Sequence, residues 1–406
     1  MKIQQITMLG HKDHGKSTLI GSLLISTGSA TEERIADAKS TSKKLGRQFE
    51  PGYMLDAFSE EREGGLTIDT ARAQIKYKGK AFELIDVPGH EELIKNMLSG
   101  ASYANTAVLV VSAAKDEGIK PQTKRHLFLA KMLGIRHFIV AVNKMDTVGY
   151  SQNDYEIIKN DIATYLDVIG IHSQSVNFVP ISAYKSENIV SKSQNMHWYR
   201  GKPLMELLLT CHTKNSVERA PLRAIIQGTL ETESGIAYTA KVLSGTIETG
   251  ASIRILPINK KATVKRLYVK GKEAHSAKAE ENIAINISQD MGSMRGAVIS
   301  NTHMTKAANA ISTMLFFVKP ASGNVELRFN GNGTAAKINL DKVIDTVTGK
   351  PKNTARPKSL DAAECIIRLA KKVAVEEFSS FRDLGRFVVY SSGKFIGIGV
   401  VEKVLG

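Results

Sequence analysis

Nine residues near the start of the chain, GHKDHGKST (Gly10–Thr18), restrict the fold more than any other stretch. They follow an apolar run, IQQITML (3–9), that reads as a buried strand, and they lead into TLIGSLLIST (18–27), which reads as a helix. A glycine-rich turn from strand into helix aims backbone N–H groups and the positive helix end at one anion. The spacing Gly10-x4-Gly15-Lys16-Ser17 is that of a phosphate loop, in which the lysine reaches the β- and γ-phosphates and the serine hydroxyl ligates Mg2+. Glycine turns reach the same spacing by chance, so it is the strand and helix flanks that argue for phosphate.

Downstream, apolar runs alternate with helical patterns for about 210 residues. ITML (6–9), FELIDV (82–87), AVLVVSA (107–113), HFIVAV (137–142) and FVPIS (178–182) are continuous rather than alternating, as parallel strands covered on both faces should be. A hairpin turn at Lys78-Gly79-Lys80 adds one antiparallel strand beside 82–87. NDYEIIKNDIATYLDVIG sets Tyr155, Ile158, Ile162, Tyr165, Leu166 and Ile169 on one helical face and stops at Gly170. PQTKRHLFLAKMLG starts and stops in the same way, and residues 31–66 form a polar, partly helical excursion of the kind that carries function. After about residue 215 strand alternation and glycine turns take over, in 236–257, 262–269 and 282–288, and a second β block begins near 301.

Three further motifs fit the first. In DVPGH (86–90), Asp86 can bind Mg2+ through water, Gly89 can turn its amide toward a γ-phosphate, and His90 can orient the attacking water. In NKMD (143–146), the Asp146 carboxylate can accept from guanine N1 and N2, donors that adenine lacks, while Asn143 and Lys144 hold the loops and cover the base. SAYK (182–185), which opens with Ser182 and Ala183, supplies a backbone amide for guanine O6. Thr67, in EREGGLTID, alone would be a solvated loop residue. Its place between the phosphate loop and DVPGH makes it a ligand of Mg2+ and γ-phosphate that is released on hydrolysis. Taken in this order, the motifs choose GTP.

Composition narrows the setting. The chain has 406 residues, 42% hydrophobic and 23% charged, with room for two or three domains. It contains no apolar run of about 18 residues or more and no apolar leader, so neither a membrane span nor secretion is expected. Cys211 and Cys365 stand far apart and read as small buried residues in a reducing cytoplasm. A net charge of +15 suits a polyanionic partner, and it equally suits a surface of solubilising lysines. The basic loop GKPKNTARPK (349–358) has the same two readings, a phosphate-backbone contact or a solvated hairpin tip, while Trp198 reads as packing.

On these residues the chain resembles the translational GTPases, most closely the elongation factor Tu / elongation factor 1-alpha family. The likeness is carried by GHKDHGKSTLIGSLL, MLDAFSEEREGGLTID, DVPGHEELIKNMLSGAS, VAVNKMDTVGYS, FVPISAYKSENIVSKSQNMHWYRGKPLMELL and VEEFSSFRDLGRFVVYSSGKFIGIGVVEKV. The resemblance implies an α/β fold class: a P-loop GTPase domain with a mixed, mostly parallel sheet (1–214), then two β-barrel domains (215–300 and 301–406). It implies a cytoplasmic GTPase that cycles between GTP and GDP with Mg2+ and delivers aminoacyl-tRNA to the ribosome. A nucleotide-exchange factor is a further implied partner, and DNA and membranes are not. Residue by residue, it puts Asp13, His14, Gly15, Lys16, Ser17 and Thr18 in the phosphate loop, and Thr67 in the first switch. Asp86, Gly89 and His90 fall in the second switch, with His90 catalytic, and Asn143, Lys144, Asp146, Ser182 and Ala183 fall in the base pocket.

The chain departs from the family at several points. Lys12 stands where a small apolar residue is usual, Gly64 where an arginine is, and Asn105 where an aspartate is; KSEN (185–188) replaces GDN. Residues 321–340 look short and do not match the segment that contacts tRNA. That leaves room for relatives: ribosome-rescue and termination GTPases, another elongation-factor-like GTP-dependent adaptor that binds a protein through its barrels, or the GTPase subunit of ATP sulfurylase, whose loop normally has an aspartate in place of His14.

Overall fold

The computed structural model describes residues 3–44, 49–52, 54, 72–86, 104–115, 117–211, 219–232, 235–321 and 324–406. Their contacts group into two compact units, Met1–Thr213 with Thr346–Lys350, and Lys214–Asp345 with Pro351–Gly406.

The first unit is built on a six-stranded sheet of β1 (Gln4–Gly10), β2 (Arg72–Tyr77), β3 (Lys80–Asp86), β4 (Thr106–Ser112), β5 (His137–Asn143) and β6 (Asn177–Pro180). Its order is β2-β3-β1-β4-β5-β6. The five apolar runs of the sequence are the five mutually parallel strands, and only β2 runs antiparallel, against β3. Lys78 (φ 46°) and Gly79 (φ 74°) turn that hairpin through two left-handed residues, the geometry of a tight I′ turn. β4 is buried along its whole length, as a strand covered on both faces must be.

The helices described in this unit are α1 (Lys16–Ser26), α2 (Glu32–Lys44), α3 (Pro121–Met132), α4 (Gln152–Val168) and α5 (Leu204–Thr210). In α4 the Ser151 hydroxyl caps the start by accepting from the Asp154 amide at 3.2 Å, and Gly170 (φ 74°) follows its end. Its buried residues, Tyr155, Ile158, Ile162, Tyr165 and Leu166, are the stripe that the 3.6-residue period marks out. α2 accounts for the helical part of the polar excursion, and most of the rest of that excursion lies outside the described residues.

The second unit holds two antiparallel barrels. The first uses β7 (Arg223–Thr232), β8 (Gly235–Ser244), β9 (Thr246–Glu248), β10 (Ser252–Leu256), β11 (Lys260–Val269), β12 (Lys272–Glu273), β13 (Ser276–Lys278), β14 (Asn282–Ile287) and β15 (Val298–Ser300). Six of them run β10-β15-β7-β8-β14-β11, and a β10–β11 pairing closes the ring around Ile226, Tyr238, Val242, Ile255, Leu267 and Ile285. The second uses β16 (Lys306–Phe317), β17 (Val325–Phe329), β18 (Asn332–Ile344), β19 (Pro351–Lys352), β20 (Ala362–Val375), β21 (Arg386–Ser391) and β22 (Lys394–Val404). Its order is β17-β21-β22-β16-β20-β18, closed by β17–β18 around Leu315, Phe317, Leu327, Ile367, Phe387 and Val389. Closure removes the unpaired edges that alternating strands would otherwise expose.

The barrels are joined by a small apolar cluster of Leu256, Val298, Ala374 and Leu384 and by a buried ion pair. Arg223 (3% exposed) donates to Glu376 (0% exposed) at 2.6 Å, and the Thr305 hydroxyl donates to the same carboxylate at 2.6 Å.

Smaller features of the sequence also have their places in the fold. Cys211 and Cys365 are buried thiols. Trp198 donates its indole N–H to the Tyr150 carbonyl at 2.9 Å and packs 5.2 Å from the Tyr155 ring. In the basic loop, Lys352 is taken up by Asp361 at 2.6 Å and Asp345 at 3.1 Å, while Arg356 and Lys358 stay exposed. Among the described residues no helix is long and apolar enough to cross a membrane.

Candidate functional site

Parallel strands release their following loops at one edge of the sheet. Register aligns those ends: Asp86 faces Met8, Gly10 faces Val110, Ser112 faces Asn143, and Val142 faces Pro180. The loop that starts at Gly10 as β1 ends, Asp86 at the end of β3, residues 143–146 from the last residue of β5 and residues 182–183 after β6 thus meet at a single edge.

The phosphate loop is shaped by its glycines. Gly10 (φ 137°) passes so close to β4 that a Cβ would lie 2.3 Å from the Val110 carbonyl oxygen. Gly15 (φ 82°) turns the chain into α1, and a Cβ there would lie 2.5 Å from the Asn143 amide nitrogen. Between them runs a single 3-10 turn, Lys12–His14. The His11 ring caps it by accepting from the Asp13 amide at 3.4 Å.

Lys16 is 3% exposed, and its ammonium donates to the Gly10 and His11 carbonyls at 3.1 Å each. Burial lowers its pKa, and Asp86 and Asp13 oppose that shift. Ser17 is exposed, and the Thr18 hydroxyl donates to Glu50 at 3.4 Å. His14 is fully buried, with Nδ1 3.3 Å from the Val110 carbonyl oxygen. Desolvation lowers its pKa to about 4, so the ring is neutral at neutral pH.

On the other side stands Asn143, 2% exposed. Its amide nitrogen donates to the His14 carbonyl at 2.9 Å, and its amide oxygen accepts from the Ala183 N–H at 2.9 Å. One side chain therefore ties the phosphate loop to the turn after β6. Lys144 adopts a left-handed conformation (φ 62°) and pairs with Glu117 at 2.8 Å. Burial opposes ionisation of Glu117, but hydrogen bonds from Lys144 and Ser112 outweigh it and hold its carboxyl below the usual range. Asp146 lies half-buried in the 3-10 turn Met145–Val148. Ser182 is buried and exchanges backbone hydrogen bonds with Glu187, and its hydroxyl accepts from the Lys185 amide at 3.1 Å.

Thr67, Gly64, Gly89 and His90 lie outside the described residues. Glu117 is the partner that sequence reading did not find, because nothing in the spacing of AAKDEGIK (113–120) marks it. The donor set suits Mg2+, a hard cation that takes oxygen ligands and keeps one or two carboxylates, since Ser17 offers a hydroxyl and Asp86 a carboxylate at the same edge.

Comparison with known proteins adds a second line. Residues 1–216 match the family described as elongation factor Tu GTP binding domain, and residues 321–402 match the GTP-eEF1A C-terminal domain-like family. The second match takes in 321–340, the stretch noted for its departures. The elongation factor 1-alpha of Sulfurisphaera tokodaii is 34% identical, covering 98% of this chain and 96% of its own. That of Natronomonas pharaonis is 32% identical, covering 99% and 98%. A solved structure of sup35 complexed with GMPPNP, at 22% identity, covers 100% of this chain and 95% of its own with a TM-score of 0.43.

Proposed function

The chain belongs to the elongation factor Tu / elongation factor 1-alpha family of translational GTPases, and from that premise we propose that it carries aminoacyl-tRNA to the ribosome in its GTP-bound state and releases it after hydrolysis. It is a GTP-hydrolysing enzyme and a GTP-dependent translation factor. The sulfurylase reading is not favoured, because relatives matched along almost the whole chain are elongation factors.

In this reading residues 1–214 bind the nucleotide, and 215–300 and 301–406 form the barrels that hold cargo. Backbone amides from Asp13 to Thr18 cradle the phosphates, and Lys16 offsets charge on the β- and γ-phosphates. Ser17, Thr67 and Asp86 hold Mg2+, which when bound neutralises charge on the phosphate oxygens. His90 orients the water that attacks the γ-phosphorus, with Gly89 donating to the γ-phosphate. Asp146 accepts from guanine, Lys144 covers the base, and Ala183 lies at the O6 side. An exchange factor that resets the GDP state, and residence in the cytoplasm, complete the proposal.

The observation that supports the nucleotide-binding part of this reading is the double tie of Asn143, which couples the loop 10–16 to the turn after β6 through one buried amide, and the cargo part rests on the elongation-factor relatives. The test is protection of the aminoacyl ester. Mixed with Mg2+ and charged tRNA, the chain should slow ester hydrolysis with GTP and not with GDP. Equal hydrolysis in both nucleotide states would rule out aminoacyl-tRNA as cargo and leave the GTPase assignment standing.

A further inference from the structure

We propose that Lys12 is a specificity-determining residue, an ammonium placed at the terminal-phosphate end of the loop that favours GTP over GDP. The proposal rests on the reading of residues 10–18 as a phosphate loop.

The loop carries two lysines in opposite environments. Lys16 is buried and its ammonium is held by the Gly10 and His11 carbonyls. Lys12 opens the turn 12–14 and is exposed, and among the described residues no hydrogen bond or ion pair engages its ammonium. The acidic residue next to it, Asp13, sits with its carboxylate 3.4 Å from His11 Nδ1. Among the described residues no carboxylate sits on this strongly hydrated cation, which leaves it available to an incoming anion.

The sheet decides which phosphate that is. The base-side residues follow β5 and β6, whereas Asp86 ends β3. In the order β3-β1-β4-β5, three inter-strand spacings separate β3 from β5, about 14 Å, which is near the length of an extended nucleoside triphosphate. A nucleotide with its purine over β5 and β6 therefore runs its phosphates toward β3. Within the loop, His14 leans to the purine side: its ring reaches Val110 on β4 and its carbonyl is bonded to Asn143 on β5. Lys12 precedes it, on the limb that leaves β1, and so belongs to the terminal-phosphate side. GDP has no group there, and GTP brings a further charged phosphate.

An exposed ammonium about 4 Å from one added charge in bulk water changes binding roughly fivefold. The whole effect on GTP should then be roughly three- to tenfold, with GDP almost unmoved. The experiment measures equilibrium affinities of GDP and of a β,γ-imido GTP analogue with Mg2+, for the full chain and for K12A and K12R, at low and high salt. K12A should weaken the triphosphate by that factor, change GDP less than about twofold, and flatten the salt dependence of the GTP-to-GDP ratio. K12R, which keeps the charge, should restore the ratio. A K12A variant that shifts both nucleotides equally or neither, or a K12R variant that behaves like K12A, overturns the proposal. A wild-type chain that binds neither nucleotide overturns the phosphate-loop reading beneath it, which is a separate and distinguishable result.

Discussion

At the scale of single residues, the proposed base pocket turns on one carboxylate. Asp146 is read as taking two donors of guanine, and an amide in its place would present a donor of its own. Asp146→Asn should therefore lose GTP affinity by roughly 10- to 100-fold, because a base donor is left facing another donor, and should gain xanthosine triphosphate by a similar factor. Competition of the two nucleotides against a fluorescent analogue checks this. A variant that still ranks GTP first would show that Asp146 does not read the base. The candidate residues stand out in the sequence because the motifs are local: NKMD and GHKDHGKST are runs of adjacent positions. The two hydrogen bonds of Asn143 are not local, since its partner His14 stands 129 positions away and only the sheet brings them together.

At the scale of elements, the phosphate-loop turn has an acid weakness. His14 is fully buried and faces His11, Glu117 and Lys144, and its folded pKa of about 4 lies below the ordinary 6.5. The unfolded chain takes up the proton first. Stability from keeping the ring neutral is therefore complete above about pH 6.5 and is lost as the pH falls to about 4. The loss is about 3 kcal/mol over that window. Urea midpoints measured near neutrality and near pH 4.5, in the wild type and in His14→Asn, should show the wild type falling more steeply. Equal slopes would mean that this ring does not titrate against folding. The elements themselves were mostly readable, for α4 and the five parallel strands show their periods in the sequence. The 3-10 turn was not, because it is set by the approach of Gly10 to Val110 and by the His11 cap.

At the scale of the whole molecule, the barrels of the second unit are held together by a charge pair that water cannot reach. Removing one partner of a buried pair leaves an uncompensated charge and costs about 3–5 kcal/mol, whereas replacing both by apolar groups is often neutral. Arg223→Ala should therefore lower the unfolding free energy of the second unit by about 3–5 kcal/mol. Arg223→Met combined with Glu376→Leu should lose clearly less, although Thr305 then lacks its acceptor. Denaturant unfolding of both variants tests the sign of the coupling, and a double variant worse than the single one would refute it.

Taken alone, the sequence determined the order of the parts: a glycine-rich turn at the end of a strand, the NKMD run at the end of another, and β-rich segments behind them. These follow from residue type and from periods of 2 and 3.6, which act between near neighbours. Tertiary structure decided what touches what. It set the strand order that lines up Asp86, Gly10, Asn143 and Pro180, the closure of two six-stranded rings, and the meeting of Arg223 with Glu376 across 153 positions. Contacts over such separations arise from packing and burial, and a chain read one neighbourhood at a time holds no record of which distant residues will share the same dry space.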